Sequence, residues 1–185
     1  MDVKTAISER RSVRRYADKP VPDKLINELI EAARLAPSGN NTQPWRYKII
    51  KSKEDKILLR ENKIFKQDFV YTAPLLILCC SDPNTYPQEK FVKGLDDPNI
   101  LRAVRDLAIS SQNLVLRATE LGLGTCYIGW MDKPRIKKLY KMPERYVVPY
   151  VIAVGYEAKD KKIDKTAMQK TSTKKNRKEI KEILI

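Results

Sequence analysis

The sequence predicts one soluble domain in which helices and strands share a core, and three observations predict it. Of its 185 residues 42% are hydrophobic and 32% charged, a balance that suits a folded globular chain and not a disordered one. Residues 75–80 are a continuous apolar run of strand length, the pattern of a strand buried on both faces. From residue 99 to about 121, Leu101, Val104, Leu107, Ala108, Leu114, Val115 and Ala118 recur at helical spacing, so a long helix with a broad apolar surface is expected at the centre. No internal repeat or interior boundary interrupts the chain, and residues 1–185 read as a single domain.

Residues 3–9 have a short helical pattern and lead into Arg10-Arg11-Ser12-Val13-Arg14-Arg15-Tyr16. Pro20-Val21-Pro22-Asp23 announces a second helix, since proline is tolerated in a first turn. Leu25, Ile26, Leu29, Ile30 and Ala33 share one face of it, and Pro37 stops it by disfavouring helical geometry at Ala36. Pro37-Ser38-Gly39-Asn40-Asn41-Thr42-Gln43-Pro44-Trp45 is a loop dense in small polar groups, stiffened by its prolines and able at Gly39 to approach a neighbour closely. Residues 46–50 read as a strand. Ser52 can cap a helix to about residue 62, a second helical piece reaches Tyr71, and Pro74 opens the strand at 75–80. Residues 81–98, with Pro83, Pro87, Gly94 and Pro98, make a loop long enough for a lid or a partner contact.

Gly122-Leu123-Gly124 closes the long helix. Residues 125–128 form a strand ended by Gly129-Trp130, Asp132 and Pro134 start a helix to Tyr140, and 147–155 is a buried strand in which Pro149 implies an edge or a bulge. The rest is polar and lysine-rich until Ile180, Ile183, Leu184 and Ile185. Residues 156–185 are therefore expected to be an extended basic tail that docks on another subunit.

The formal net charge is +14, from 37 basic and 23 acidic residues. Much of it is lysine spread along the chain, which favours anionic ligands as a class without selecting nucleic acid or an acidic membrane. No recognised nucleic-acid motif appears, and no apolar run approaches the roughly 20 residues that span a bilayer. Met1-Asp2-Val3-Lys4 lacks a secretory pattern, so a cytoplasmic location is expected. Histidine is absent, which removes Ser-His-Asp and Cys-His catalysis and histidine-ligated zinc. Cys79, Cys80 and Cys126 fit neither a four-thiolate zinc site nor a C-x-x-C redox pair, and their apolar neighbours mark them as buried small hydrophobes.

Gly122-Leu123-Gly124 fails as a dinucleotide fingerprint, because the third glycine would fall at Tyr127 and the motif follows a helix instead of a strand. No Walker-type phosphate loop is present. The arginine run, four guanidiniums and a hydroxyl in seven residues, reads either as a solvated basic turn or as an anion cradle. The loop at 37–45 reads either as a plain connection or, with amides beside a tryptophan, as a site for a polar planar ligand.

Taken together and in order, Arg10-Arg11-Ser12-Val13-Arg14, the Pro37–45 loop ending Asn41-Thr42-Gln43-Pro44-Trp45, Gly122-Leu-Gly-Thr-Cys-Tyr-Ile-Gly129-Trp130 and Gly155-Tyr156 resemble the FMN-dependent nitroreductase family, over about residues 3–182. The resemblance implies an α+β fold, a mostly antiparallel sheet flanked by helices, in an intertwined homodimer whose C-terminal tails are exchanged and which carries one FMN at each subunit boundary. By motif, Arg10, Arg11, Ser12 and Arg14 would contact FMN from one subunit, and Pro37, Ser38, Gly39, Asn41 and Gln43 from the other. Ile128 and Gly129 would meet the flavin edge near N5 with backbone groups, and Lys175 and Arg177 would supply a late phosphate-binding pair. The resemblance leaves open a further contact near Gln67.

The chemistry agrees with this assignment. A phosphate with close to two negative charges calls for convergent cationic donors, here Arg10 with Ser12. Arg14, placed at the N1–C2=O side of the ring, would stabilise the reduced anion and raise its potential. Arg15 receives no role. With hydride entering and leaving at N5, no catalytic side chain is required. The implied activity is reduction of FMN by NADH or NADPH, followed by reduction of a small electron-poor acceptor such as a nitroaromatic or a quinone, in ping-pong order. The rival readings are a nucleic-acid-binding module without flavin, an FMN storage or delivery protein, and a flavin enzyme of the same fold that dehydrogenates or dehalogenates its substrate.

Overall fold

The computed structural model describes residues 1–87, 98–158 and 177–185. Four strands, β1 (Trp45–Ile50), β2 (Leu75–Ser81), β3 (Gly124–Ile128) and β4 (Val147–Gly155), form one antiparallel sheet in the order β1-β2-β4-β3. The helices are α1 (Val3–Glu9), α2 (Asp23–Arg34), α3 (Lys53–Glu61), α4 (Phe69–Thr72), α5 (Pro98–Glu120) and α6 (Lys133–Leu139).

Alternation along β2 builds both cores, because successive strand side chains point to opposite faces. Leu75, Ile77 and Cys79 pack with Ile26, Leu29 and Ala33 of α2 and with Leu107, Leu114, Val115 and Ala118 of α5. Leu76, Leu78 and Cys80 pack with Leu59 of α3, Val70 and Tyr71 of α4 and Ile136 of α6. A sheet covered by helices on both faces needs a strand that is apolar throughout, and every residue of β2 is buried. The architecture is the expected α+β one. The three cysteines are free and buried; burial pushes the Cys80 thiol up to about 12 and raises Cys126 as well, so neither is a thiolate at neutral pH.

Several boundaries differ from the sequence expectation for local reasons. Pro149 does not mark an edge strand, since β4 lies between β2 and β3. The ladder with β2 shifts register between Cys79, opposite Tyr150, and Ser81, opposite Val147, and β3 pairs only with residues 151–155. The missing N–H of Pro149 therefore falls at a bulge beyond the end of β3, the other alternative that its sequence position allowed. Lys63, at φ 49°, ends α3 in the left-handed region; Phe65 then bridges Met131, and only Phe69–Thr72 is helical before β2. Trp45 is buried in the α2–α5 core and opens β1, so it is not a platform exposed beside the loop.

Residues 88–97, where the lid or partner contact was expected, and 159–176, most of the basic tail, lie outside the described residues. Where the chain is described again, Ile180–Glu182 makes a 3-10 turn, and Ile180, Ile183, Leu184 and Ile185 are exposed. No described helix is long and apolar enough to cross a membrane.

Candidate functional site

The arginine run is fixed to the sheet by its backbone. Gly122, at φ +74°, takes the left-handed turn that closes α5 and lets β3 start at once. Ser12 then forms a parallel bridge with Thr125, and the Val13 N–H donates to Thr125 O at 2.9 Å. Val13 is buried directly over Gly124, where a Cβ would lie 2.6 Å from Val13 Cγ2. Past the run, Ala17 N–H donates to Tyr156 O and Ala158 N–H to Arg15 O. Tyr16 closes the joint beneath them, its hydroxyl directed at Val13 O (2.7 Å) and Ala153 O (3.2 Å).

With the backbone thus engaged, the side chains divide. Arg10, Ser12 and Arg14 are half-buried and all bear on Cys126 of β3. Among the described residues no carboxylate is paired with Arg10 or Arg14; Arg14 Nη1 reaches only Ser12 O at 3.5 Å. Arg11 is different: it is exposed and ion-paired with Glu157. At the far end of β3, the Ile128 side chain is buried in the α3–α6 core, so this residue offers backbone, and exposed Gly129 follows it.

The loop at 37–45 is built the opposite way. Ser38 Oγ accepts the Gln43 N–H at 3.0 Å, and Gln43 Nε2 donates to Asn41 O and Asn41 Oδ1 at 3.2 and 3.1 Å. Asn40, Asn41 and Gln43 have φ of 55°, 53° and 49°, a conformation that asparagine tolerates and glutamine rarely adopts. Pro37, Asn41 and Gln43 are exposed, Ser38 and Gly39 half-buried. The Gly39 N–H donates to Asp106 Oδ2 at 2.7 Å.

Sequence reading missed Asp106, along with Tyr86 and Arg105, which also donate to it, Tyr86 Oη at 2.5 Å and Arg105 Nε at 2.8 Å. Burial by itself would raise the Asp106 pKa, but the bonds from Arg105, Tyr86 and Gly39 outweigh it and hold the carboxyl below its ordinary value. A signal was present in the sequence: Asp106 stands on the buried stripe of α5 with Ala103, Leu107 and Ser110.

The structure thus brings Arg10, Ser12, Arg14, Ile128 and Gly129 together along β3, and Pro37, Ser38, Gly39, Asn41 and Gln43 together in one loop. Among the described residues no hydrogen bond or ion pair joins the two groups within the chain. Lys175 lies outside the described residues, and Arg177 is exposed. A concavity of about 1090 Å³ lies elsewhere, lined by Lys133, Lys137, Lys141, Arg145 and Pro149 among others, and none of the expected flavin contacts lines it.

The nitroreductase family model matches residues 7–156. The chain belongs to the nitroreductase family. It is 33% identical over 165 residues to a Methanothermobacter thermautotrophicus protein named as an NADH dehydrogenase/NAD(P)H nitroreductase, covering 86% of this chain and 80% of that one. A nitroreductase family protein of Clostridium difficile superposes with a TM-score of 0.78 at 28% identity, over 100% of this chain and 98% of the other. A Desulfovibrio desulfuricans protein named as a nitroreductase and crystallised in complex with FMN superposes with a TM-score of 0.80 at 24% identity, over 100% and 96% of the two chains. The four-stranded antiparallel sheet between helix layers is thus the nitroreductase fold, and both stretches described above, Arg10–Tyr16 and 37–45, fall inside the matched residues.

Proposed function

We propose that this chain is an FMN-dependent oxidoreductase that draws on NADH or NADPH to reduce small electron-poor acceptors, such as nitroaromatics or quinones, in ping-pong order. It works as a single-domain subunit of a homodimer, with each flavin site shared between subunits. The observation that carries this reading is the state of the arginine run: half-buried Arg10 and Arg14 are held in place by backbone pairing and have no carboxylate partner among the described residues. Half-buried guanidiniums held in place without a carboxylate leave forked donors for an anionic ligand to accept. The donor set fits FMN, a dianionic phosphate joined to a ring that gains negative charge on reduction. Buried Gln67 Oε1 has no hydrogen-bond partner among the described residues, and it adds a polar atom at the position where the resemblance left a further contact open.

Bound FMN would supply the redox chemistry, accepting a hydride from the nicotinamide and returning electrons to the acceptor. The chain's own residues bind and orient. Arg10 and Ser12, with Lys175 and Arg177 from the tail, would hold the phosphate; Arg11 sits at the rim of the same grip. Arg14 would face the anionic edge of the ring and favour the reduced form. The backbone of Ile128 and Gly129 would line the flavin edge, and Pro37, Ser38, Gly39, Asn41 and Gln43 would come from the partner subunit. That no hydrogen bond or ion pair joins loop and arginine run among the described residues supports that sharing, as does the exposed apolar surface at Leu101 and Ile109 of α5 and at the terminal isoleucines.

The test begins with the purified protein, denatured at high salt and assayed for released FMN. The holoprotein is then mixed anaerobically with NADH and with NADPH while the flavin's visible absorbance is followed, and the reduced protein is offered nitroaromatics and quinones. Rapid bleaching, then recovery on adding acceptor, is expected. Protein that neither contains nor takes up FMN would sink the reading, and flavin that binds but is not bleached would leave a carrier in place of an enzyme.

A further inference from the structure

The loop at 37–45 is tied to the fold at its C-terminal end, where the Asp82 N–H donates to Pro44 O at 2.8 Å and Arg46 Nη1 to Gln43 O at 3.0 Å. Its internal bonds run from Ser38 to Gln43 and from Gln43 to Asn41, and its three left-handed residues favour relaxation. Toward its start, in the stretch that carries Ser38 and Gly39, it is tied by the 2.7 Å bond from the Gly39 N–H to Asp106 Oδ2. Asp106 is 1% exposed on α5, the longest helix of the fold, and its other donors brace it from two sides: the Tyr86 hydroxyl on Oδ2 and Arg105 Nε on Oδ1. Gly39 lies beside this clamp: a Cβ on it would sit in ordinary van der Waals contact with it, 3.5 Å from Arg105 Nη2, 3.6 Å from Tyr86 Cε1 and 3.7 Å from Asp106 Oδ2. A buried carboxylate that accepts from a backbone N–H, a phenol and a guanidinium is satisfied only if all three donors stay where they are.

We propose that Asp106 is a positioning residue for flavin binding: through the Gly39 N–H it holds Ser38, Gly39 and Asn41 in the shape that receives the ring, so that FMN meets a preformed loop. This rests on the flavin reading above. The chemical reason is preorganisation. A loop that must be ordered by its ligand loses affinity, whereas one already ordered by a buried acceptor does not. The carboxylate matters here as an acceptor on both oxygens. The substitution Asp106→Asn would keep the volume but turn one accepting oxygen into an NH2 donor, facing either the Gly39 N–H with Tyr86 or the Arg105 guanidinium.

The experiment compares Asp106→Asn with Ser52→Ala as a control of matched intent. Ser52 caps α3 by accepting the Asp55 N–H at 3.0 Å, so its loss lowers thermal stability at a place that takes no part in the loop. Both holoproteins are stripped of FMN and titrated with it, and hydrogen–deuterium exchange is followed for peptides covering 37–45. Asp106→Asn is expected to raise the Kd for FMN about tenfold and to speed exchange in 37–45, whereas Ser52→Ala lowers the melting temperature and leaves Kd within about twofold. Tyr86→Phe and Arg105→Gln, which each remove one brace and leave the carboxylate, are expected to raise Kd about threefold, and they carry the test if Asp106→Asn does not fold. An Asp106→Asn protein that melts lower but binds FMN within twofold of the wild type overturns the proposal, as do brace variants without effect. Wild-type protein that takes up no FMN at all overturns the flavin reading itself, and this inference with it.

Discussion

The arginine run and the 37–45 loop solve the same problem in opposite ways. In the run, backbone groups are spent on the sheet, Val13 on Thr125 and Ala17 on Tyr156, and the guanidiniums of Arg10 and Arg14 are left over. In the loop, the side chains of Ser38, Asn41 and Gln43 are spent on the loop's own shape, and the backbone is bent into left-handed conformations. The first arrangement presents charge from a rigid edge. The second presents shape from a segment tied at Gly39 to a buried carboxylate and at Pro44 to the Asp82 N–H. A phosphate is recognised by charge-assisted bonds, whose strength needs little surface, and a flat neutral ring by surface, whose complementarity needs order. On the flavin reading proposed above, the run would grip through charge and the loop through a preformed surface, and both would contribute to affinity.

The largest effect is expected where charge is removed. Arg10→Ala should weaken FMN binding by about 10- to 100-fold, the weight of a charge-assisted hydrogen bond of about 1.5–3 kcal/mol. The loss should shrink at high salt, where screening has already weakened the interaction, and the melting temperature of the flavin-free protein should hardly move. Fluorescence titration at two ionic strengths checks both points. If instead Arg10→Ala destabilises the apoprotein and leaves Kd alone, the run is a structural strut and the contrast with the loop disappears.

A smaller effect should follow when the run is shifted without changing any charge. Gly124→Ala places a methyl 2.6 Å from Val13 Cγ2 and 2.8 Å from its Cβ, and a β-branched side chain held over a strand cannot swing aside. Overpacking of this kind costs about 1–3 kcal/mol. Chemical denaturation should show a loss of that size, and FMN should bind roughly tenfold more weakly because Arg10, Ser12 and Arg14 move with Val13. If the stability falls and the affinity does not, the guanidiniums reach the flavin by side-chain flexibility and the registered edge is incidental.

How much of this was legible in the sequence follows from the kind of constraint at each place. The strand at 75–80 and the long helix to about 121 could be read because burial imposes a period on the sequence, and that period is the fold. The bulge at Pro149 was readable as one of two alternatives, since proline reports a missing donor and not which neighbour lacks one. Asp106 was not singled out, because an acid within a helix usually marks the solvated side; only its spacing from Ala103, Leu107 and Ser110 places it inward. Trp45 misled for the converse reason. Beside five polar loop residues it looks like a recognition surface, yet it is the first residue of β1 and its ring belongs to the core. Nor does composition separate Arg10 from Arg11, since the difference arises from tertiary pairing: Ser12 on Thr125 sets one side of the run toward Cys126, and the return of the chain after β4 brings Glu157 to the other.

That last difference gives the smallest predicted effect and the most discriminating one. Arg11 and Arg10 are adjacent, carry the same charge and belong to the same motif, so a grip made of general positive potential would lose about as much from either. The structure gives them unequal commitments. The Arg11 guanidinium pairs with Glu157, and the side chains are 51% and 42% exposed, a setting in which an ion pair is worth no more than about 1 kcal/mol. Arg11→Ala should therefore change Kd for FMN by less than about threefold and stability by a few tenths of a kcal/mol, and Glu157→Gln should match it. Should Glu157→Gln tighten FMN binding while Arg11→Ala weakens it as much as Arg10→Ala does, then Glu157 is competing with the flavin phosphate for Arg11. The grip would then consist of three arginines, one of them held back by a carboxylate until the ligand arrives.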